Sequence, residues 1–422
     1  MNQLCHYNQT LKSVFESIED VINTEQFEDI FNLDSVDGVL RECLSIDEMR
    51  EIGSFFTGRK LSTVTVKKFR KAIVFDSVIL DPTCGVGNLL IECSRQLGIK
   101  RELSQTLACW GKVLRGYDLH KMFIEATKIR LVLEALNRGA IKDCSLEDAL
   151  LYFPYIRVAD AMSIQKEDVV DISHIIMNPP FSSWNSPKIN YWKQGKVNAA
   201  GVIFDHYLRI LPNECDISAI LPDVLRSGSR YEAWRGFISK NIKGTCDIFG
   251  RFNEKTDVDV FTLDGIVSQS EMDITWFSKL DKYIPISDFF DVCIGPLVAY
   301  RDPLEGQSFP YVHSKNAPIW KTIKEFDEYR KFKGRVIEPP FVVIRRTSSP
   351  SDKYRAAGTI VTGKTHIAVE NHMIVIKPKS STLNDCNRLL KVLKSPKTNN
   401  YLNNRIRCRH LTVSVVKEIP FG

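Results

Sequence analysis

Short β-branched runs that alternate with helical segments from Phe75 onward constrain the fold of this chain most strongly. Between Leu119 and Leu136, apolar residues recur at spacings of three and four, which predicts a crossover helix between two strands. Strands that alternate with helices in this way predict an α/β fold built on a parallel, Rossmann-like sheet. The candidate strands are Ser77 to Leu80, Val113 to Tyr117, Ile156 to Ala159, Ile172 to Met177 and Ile217 to Leu221.

The two ends of the chain differ from this central pattern. With 422 residues the chain exceeds the roughly 100 to 200 residues usual for one domain, so we expect more than one. Val14, Ile18, Val21 and Ile22 stand at helical spacing and predict a helical lead-in. After about residue 282 the periodicity weakens and arginines interleave with aromatics, which predicts a domain boundary between residues 269 and 286.

Composition limits the function classes only loosely. A net charge of +6 permits a polyanionic partner without demanding one. The 11 cysteines form no Cys-x-x-Cys pair, which argues against a disulfide framework and a zinc ribbon and favours a protein without a metal site. The first ten residues lack the basic and apolar regions of a signal peptide. We therefore expect a cytoplasmic protein.

A glycine-containing turn follows the first strand and predicts a cofactor site. The turn reads Asp81-Pro82-Thr83-Cys84-Gly85-Val86-Gly87-Asn88 and leads into a helical run. Glycines at a strand-to-helix turn let the backbone approach a ligand, although Gly85 and Gly87 alone would fit an ordinary turn equally well. No Gly-Lys-Ser/Thr follows the glycines, which disfavours a phosphate-binding loop.

Acids end the next two strands as well. Asp118 could accept both hydroxyl protons of a ribose, and Asp160 could accept from the amino group of an adenine ring. Each could also be a turn acid or a helix N-terminal acid. Together with Asp81 they predict a cofactor that carries ribose and adenine but needs no phosphate clamp, and S-adenosylmethionine meets these requirements.

The fourth strand runs directly into Asn178-Pro179-Pro180-Phe181, the most specific motif in the chain. Two prolines stiffen the turn, so the Asn178 amide and the Pro179 carbonyl are presented as acceptors for the two protons of an amine. Phe181 can stack on a base held out of a duplex. The motif therefore predicts methyl transfer to the exocyclic amine of a base, with positioning as the main source of rate.

Taken in order, these residues resemble the amino-methylating DNA methyltransferases of restriction-modification systems, in the gamma-type motif order. The resemblance covers roughly residues 50 to 265 and implies adenine N6 as the acceptor and S-adenosylmethionine as the cofactor. It also implies that Thr57, within residues 53 to 58, meets the methionine moiety, although Gly58 stands where the family usually has proline. The implied domains are a helical lead-in that carries part of the cofactor site (1–70), a methyltransferase domain (71–275) and a DNA target-recognition domain (276–422).

Clusters of cations in the last part of the chain support the recognition role. They occur in the segments Pro339 to Arg346, Lys353 to Arg355 and Arg405 to His410. Cations can bind phosphates and base edges, although such clusters are usually solvated surfaces. The candidate contacts to double-stranded DNA are Arg345, Arg346, Arg407 and Arg409. A separate restriction endonuclease or specificity subunit is a possible partner.

Several other functions compete with this interpretation. No lysine stands two positions after an acid, so the usual metal-dependent nuclease core is absent from the sequence. No Pro-Cys dipeptide occurs either, so the cysteine nucleophile needed for C5-cytosine methylation is missing. N4-cytosine methylation, methylation of RNA or of a protein amide, and an inactive nucleic-acid-binding module stay open as alternatives.

Overall fold

The computed structural model describes residues 2–18, 57–188, 191–253, 256–268, 274–278 and 282–421. The chain divides into two compact units, Met1–Trp276 and Phe277–Gly422, which we call the N-terminal and C-terminal units. Val21, Ile22 and residues 53–56 of the motif around Thr57 lie outside the described residues. The roles predicted for residues 1–70, 71–275 and 276–422 stay predictions.

A seven-stranded sheet forms the centre of the N-terminal unit. Its order is β3-β2-β1-β4-β7-β9-β8, and the first five strands are parallel. β9 runs antiparallel to both β7 and β8. The strands are β1 (Ile79–Asp81), β2 (Leu114–Asp118), β3 (Ile156–Val158), β4 (His174–Met177), β7 (Asp216–Pro222), β8 (Ile242–Asn253) and β9 (Thr256–Val267).

Helices cover both faces of this sheet because successive strand residues point to opposite sides. Ile79 and Ile176 join one apolar cluster, whereas Leu80 and Ile175 join another. β5 (Ser183–Asn185) and β6 (Lys196–Asn198) form a separate antiparallel pair. The helices of this unit are α1 (Asn2–Ser17), α2 (Arg59–Val66), α3 (Asn88–Ser94), α4 (Leu103–Val113), α5 (Lys121–Asn137), α6 (Leu146–Leu151), α7 (Ala199–Ile210), α8 (Asp223–Ser227) and α9 (Glu232–Asn241).

The predicted parallel core is confirmed, with one difference. All five candidate strands are present, with ends that differ from the predictions by at most two residues, and α5 is the predicted crossover helix. Leu119 precedes α5 and is 64 % exposed, so it does not belong to the apolar stripe of that helix. The antiparallel pair β8–β9 was not predicted as a pair, because a hairpin follows from pairing between neighbouring segments and not from the period of either one.

α1 confirms helical structure at the start of the chain. It buries Leu11, Val14 and Phe15, and Ile18 follows it and is also buried. Asn8 donates from Nδ2 to Glu125 Oε2 of α5 over 3.0 Å. The helix is therefore part of the same core as α5.

The described residues of the C-terminal unit form two smaller sheets and three α-helices. One sheet has the order β10-β17-β14-β15-β12 and the other the order β13-β11-β16. The strands are β10 (Phe290–Ile294), β11 (Gln307–Val312), β12 (Thr322–Ile323), β13 (Tyr329–Phe332), β14 (Phe341–Arg345), β15 (Gly358–Val361), β16 (Ala368–Val369) and β17 (Met373–Pro378). The helices are α10 (Leu383–Leu393), α11 (Pro396–Arg405) and α12 (Val413–Lys417). Leu389 of α10 and Leu402 of α11 share an apolar cluster with Val342 of β14 and Ile376 of β17.

Within the described ranges, no helix is both long and apolar enough to cross a membrane.

Candidate active site

The candidate site lies where the connections of the sheet change direction. From β1 the chain continues to β2 and β3 on one side, whereas β4 and β7 lie on the other side of β1. The carboxyl ends of β1 and β4 therefore flank a topological switch point, the usual place for a ligand in an open α/β sheet. Asp81 is the last residue of β1, and Asn178 follows the last residue of β4.

The turn after β1 is held close to the sheet. Gly85 and Gly87 have φ angles of +54° and +84°, which glycine adopts without strain. A Cβ on Gly87 would lie 2.7 Å from Thr127 Cγ2, so the turn also needs glycine there for packing. The Thr127 hydroxyl donates to the Gly85 carbonyl over 2.9 Å. Gly87 therefore shapes the turn and precedes α3 as its N-terminal cap.

Asp81 is a buried acid and Asp118 is half-buried. Asp81 Oδ1 accepts from the Thr83 amide over 3.1 Å, and burial raises the pKa of Asp81 to about 8. Asp118 accepts from the Gly85 amide over 3.2 Å and from the His120 amide over 2.8 Å, one on each oxygen. Burial raises the pKa of Asp118 as well. Each carboxylate oxygen has two lone pairs, so Asp118 retains the capacity to accept two ligand hydroxyls.

Asp160 lies two residues beyond the end of β3. Its Oδ1 accepts from the Met162 amide over 2.9 Å, so it caps a short 3₁₀ turn. Asp160 therefore acts as a turn acid, which is one of the two roles considered for it. The side chain also lines the same cleft as Asp81 and Asp118. Both roles are compatible because a carboxylate accepts several hydrogen bonds.

The Asn178 amide is held by another segment of the chain. Its Nδ2 donates to Thr57 Oγ1 over 3.0 Å, and Thr57 is only 3 % exposed. The Thr57 carbonyl in turn accepts from Asn88 Nδ2 over 2.7 Å. Thr57 and Asn178 are thus brought together across 121 positions of sequence.

These residues share a cleft that is open to solvent, and the space in it, solvent included, is about 810 Å³. The predicted site residues that line it are Thr57, Asp81, Pro82, Gly85, Asp118, Asp160, Asn178 and Pro180. Among the described residues, the lining contains three carboxylates and no lysine or arginine, which suits a cationic ligand better than a phosphorylated one.

Three predicted site residues do not line this cleft: Gly87, Pro179 and Phe181. Pro179 is buried next to its neighbour Pro180, which does line the cleft. The Phe181 ring contacts the Phe252 ring edge to face, with 5.8 Å between centroids, and the Phe181 carbonyl accepts from Asn198 Nδ2 over 3.0 Å. The predicted stacking role of Phe181 therefore stays a prediction.

Several cleft residues were missed from the sequence. Asn88 directly follows the second glycine of the turn, so its position gave a usable signal. Leu119 and His120 follow the acid at the end of β2, and Trp184 stands three residues after Phe181. Cys84 lies inside the turn, and burial raises the pKa of its thiol well above the usual value. Other residues of the lining are Thr83, Leu89, Ala159, Ala161 and Ile203.

Of the four arginines predicted to contact DNA, Arg346 and Arg409 lie near His410, whereas Arg345 and Arg407 lie on the same segments. Arg346, His372 and Arg409 all act electrostatically on His410 and, with its burial, lower the pKa of its imidazole. Their segments are joined by backbone hydrogen bonds, from the Arg346 amide to the His372 carbonyl over 2.9 Å and from the Leu411 amide to the Arg346 carbonyl over 2.8 Å. We call Arg346, His372, Arg409 and His410 the cation cluster. Arg345 ends β14, and Arg407 lies two residues beyond α11.

Arg355 has a structural position instead. Its side chain is 1 % exposed and donates to the Cys408 carbonyl over 2.7 Å and to Asn403 Oδ1 over 3.2 Å. The expectation that the cations of the segment Lys353 to Arg355 contact phosphates is therefore wrong for Arg355, because its guanidinium is buried and hydrogen-bonded within the C-terminal unit.

Comparison with known proteins gives a family for part of the chain. Residues 38–224 match the family model described as N-6 DNA Methylase. No curated protein matches the chain.

Among solved structures, the type IIL restriction-modification enzyme MmeI in complex with DNA is similar over 92 % of this chain and 70 % of its own, with 11 % identity and a TM-score of 0.55. The DrdV–DNA complex is similar over 95 % of this chain and 58 % of its own, with 10 % identity and a TM-score of 0.51. The type IIG restriction endonuclease BpuSI aligns with 92 % of this chain at 13 % identity and a TM-score of 0.43, and the chain spans 60 % of its length. At these identities the similarity concerns the fold.

Proposed function

Residues 38–224 belong to the N-6 DNA methylase family, and from this premise we propose that the protein transfers a methyl group from S-adenosylmethionine to N6 of adenine in DNA. The single observation that carries the proposal is that Asn178 lines the same cleft as Asp81, Asp118 and Asp160. A ligand in this cleft would therefore lie beside both the acids and the amide.

The lining fits S-adenosylmethionine by its chemistry. Asp118 would hold the ribose hydroxyls and Asp160 the amino group of the adenine ring, as predicted from sequence. A sulfonium and an ammonium group are favoured among carboxylates, and the described lining offers no cation for a phosphate. When bound, the cofactor supplies the electrophilic methyl group.

Asn178 would act on the acceptor amine. An exocyclic amine is a weak nucleophile because its lone pair is delocalised into the ring. The Asn178 amide oxygen, with the Pro179 carbonyl as the predicted second acceptor, would accept the amine protons and favour a localised lone pair. Because Thr57 Oγ1 accepts from Asn178 Nδ2, the amide plane is fixed before the base arrives. Transfer would exchange the methyl–sulfur bond of the cofactor for the new nitrogen–carbon bond, leaving a neutral thioether, and the amine would release one proton to solvent.

The cation cluster supports contact with DNA by the C-terminal unit. Arg346, His372 and Arg409 all lie close enough to His410 to act on it electrostatically, and the phosphates of a polyanion are attracted to such a concentration of cationic groups. Arg346, Arg409 and His410 lie on segments that DNA phosphates could bridge, and Arg345 and Arg407 lie on the same two segments. We assign to this surface the binding of double-stranded DNA.

The setting that fits best is the protective half of a restriction-modification system. The MmeI and DrdV structures were solved with DNA, and MmeI is described as a restriction-modification enzyme. The chain spans 70 % and 58 % of those two proteins. A separate restriction endonuclease or specificity subunit is the partner that this setting implies.

Incubation with methyl-labelled S-adenosylmethionine and mixed-sequence DNA tests the proposal. The DNA is digested to nucleosides, and the labelled nucleoside is identified by mass spectrometry. We expect label in N6-methyladenine with the wild type, no label with Asn178→Ala, and wild-type activity with Asn213→Ala, an exposed loop asparagine in the same unit. Label only in N4-methylcytosine would change the base assignment, and label in RNA or protein but not in DNA would overturn the proposal.

A further inference from the structure

A series of hydrogen bonds leads from a buried arginine to the Asn178 amide. Arg130 Nη1 on α5 donates to Asn88 Oδ1 over 2.6 Å. Asn88 Nδ2 donates to the Thr57 carbonyl over 2.7 Å, and Thr57 Oγ1 accepts from Asn178 Nδ2 over 3.0 Å. Four segments that are distant in sequence are thereby joined at one edge of the sheet.

Arg130 fixes the direction of the Asn88 amide. A guanidinium can only donate, so the Asn88 atom that faces it must be the oxygen. The amide nitrogen then faces the Thr57 carbonyl, which can only accept. Reversal of the Asn88 amide would place donor against donor at Arg130 and acceptor against acceptor at Thr57. The two contacts therefore allow one orientation only.

Arg130 also holds the turn that carries the glycines. Its Nη1 donates to the Val86 carbonyl as well as to Asn88. The hydroxyl of Ser62 gives the Thr57 carbonyl a second, longer contact of 3.3 Å. The cofactor turn and Thr57 are thus bound to the same guanidinium, directly or through Asn88.

Burial of the Arg130 guanidinium costs free energy, because a charged group loses its contact with water. The side chain is 4 % exposed, and burial lowers the pKa of its guanidinium. Glu134, an acid that acts on it through space, is bound by Arg95 Nε over 2.9 Å. Replacement of buried charges by apolar residues of similar volume often stabilises a protein. A cation at this position therefore points to a role in orientation.

We propose that Arg130 is a positioning residue for methyl transfer, which sets the orientation of the Asn178 amide through Asn88 and Thr57. The inference rests on the proposed function. Arg130 is not part of the cleft lining, so it acts through other residues and does not touch the base or the cofactor. Asn88, which does line the cleft, transmits the restraint.

The first test compares Arg130→Met with Arg138→Met. Arg138, just beyond α5, also donates to two carbonyls, those of Ser94 and Leu97, but these contacts do not lead to Asn178. At saturating cofactor and DNA we expect kcat to fall about 10- to 100-fold for Arg130→Met, because small errors in reacting geometry cost about that much. We expect kcat per cofactor-binding molecule to stay within twofold for Arg138→Met. The stoichiometry of S-adenosylmethionine binding, measured by calorimetric titration, gives the number of competent sites.

A double-mutant cycle tests the route. Thr57→Val removes the hydroxyl that holds Asn178 but keeps the carbonyl that Asn88 binds. If Arg130 acts through Thr57, the effects of Arg130→Met and Thr57→Val on kcat are not additive. Additive effects, or a kcat of Arg130→Met within twofold of the wild type, would overturn the inference.

Asn88→Asp covers the case in which Arg130→Met does not fold. An aspartate would pair with Arg130 but could not donate to the Thr57 carbonyl, so the link to Thr57 is lost. We expect the same loss of kcat from this variant, with thermal unfolding showing a folded protein, and an unchanged kcat would contradict the inference. An inactive wild type would overturn the proposed function and with it this role of Arg130, whereas an active wild type beside fully active variants would overturn the role of Arg130 alone.

Discussion

The cleft of the N-terminal unit and the cation cluster of the C-terminal unit differ in charge and in exposure. The cleft concentrates acidic side chains, whereas the cluster concentrates basic side chains near the surface. The cleft holds three carboxylates, two of them buried enough that burial raises their pKa values. The cluster holds two arginines and two histidines near the surface, where charge is screened by solvent. Burial strengthens electrostatics, so the cleft can select a small cation tightly, whereas the exposed cluster fits a polyanion whose affinity depends on salt.

The largest expected effect is on cofactor binding, when the half-buried acid Asp118 of the cleft is lost. Asp118→Ala removes a carboxylate placed to accept two hydroxyls, and we expect the dissociation constant for S-adenosylmethionine to rise about 100-fold, since charged hydrogen bonds contribute about 1.5 to 3 kcal/mol each. Isothermal titration calorimetry measures this change. Asp76→Ala, at an exposed acid before β1, is the matched control. Equal affinities of the two variants would contradict the assignment of Asp118.

The cation cluster should show a smaller effect that depends on salt. We expect Arg346→Ala with Arg409→Ala to weaken DNA binding about tenfold at low ionic strength and to reduce the slope of log K against log salt by about one for each phosphate that is no longer bound. S-adenosylmethionine affinity should be unchanged. Fluorescence anisotropy over a salt series measures both quantities, with Lys391→Ala on α10 as the exposed control. A salt slope equal to that of the wild type would show that the cluster does not meet phosphates.

Asp81 predicts a pH dependence that is specific to the cleft. The carboxyl pKa is raised from 3.8 to about 8, so its protonated form is favoured in the folded protein without ligand. This contribution to stability is present below about pH 4 and is lost as pH rises through about 8. The ionised form favours a cationic cofactor, so we expect affinity for S-adenosylmethionine to increase several-fold between about pH 6 and 9.

Asp81→Asn removes both effects. Its amide oxygen can keep the contact from Thr83, and the side chain stays neutral. We expect flat cofactor affinity over this pH range, and unfolding that is less sensitive to pH than in the wild type. Calorimetric titration and thermal denaturation at several pH values measure the two effects, and a wild-type pH profile in the variant would exclude Asp81 as their source.

The smallest predicted effect is the pH dependence of DNA binding. Burial, Arg346, His372 and Arg409 keep the pKa of His410 below its usual value, so His410 is largely neutral at pH 7. Thr347 Oγ1 also contacts its Nδ1 at 3.1 Å, and Glu370 lies 3.4 Å from His372 Nδ1. A nearby phosphate favours the protonated ring, so we expect DNA affinity to rise two- to fivefold as pH falls from about 8 to 6.

Replacement by an uncharged residue isolates this histidine. His410→Asn keeps a partner for Thr347 but carries no proton, so the remaining pH dependence belongs to the other groups, including His372. Anisotropy titrations at constant ionic strength measure the difference. An unchanged pH profile in the variant would assign the effect to a group other than His410.

The amino-acid sequence by itself determined the parallel core and most of the cleft. Acids at the ends of β1, β2 and β3 and the amide after β4 had to meet at one edge, because parallel strands place their carboxyl ends together. The helical period of α1 and α5 likewise follows from residues close in sequence. Local sequence patterns were sufficient to predict these strands and helices, because each of them carries its own apolar face.

Only the tertiary structure decided which side chains hold the site residues in place and which predicted residues point away from the sites. It placed Arg130 behind Asn88, turned Phe181 against Phe252 and buried Arg355. It brought Arg346 close enough to His410, 64 positions away in sequence, to act on it electrostatically. It also paired β8 with β9. These contacts join segments that are distant in the chain, or depend on how one strand meets another, and no local periodicity encodes such a partner.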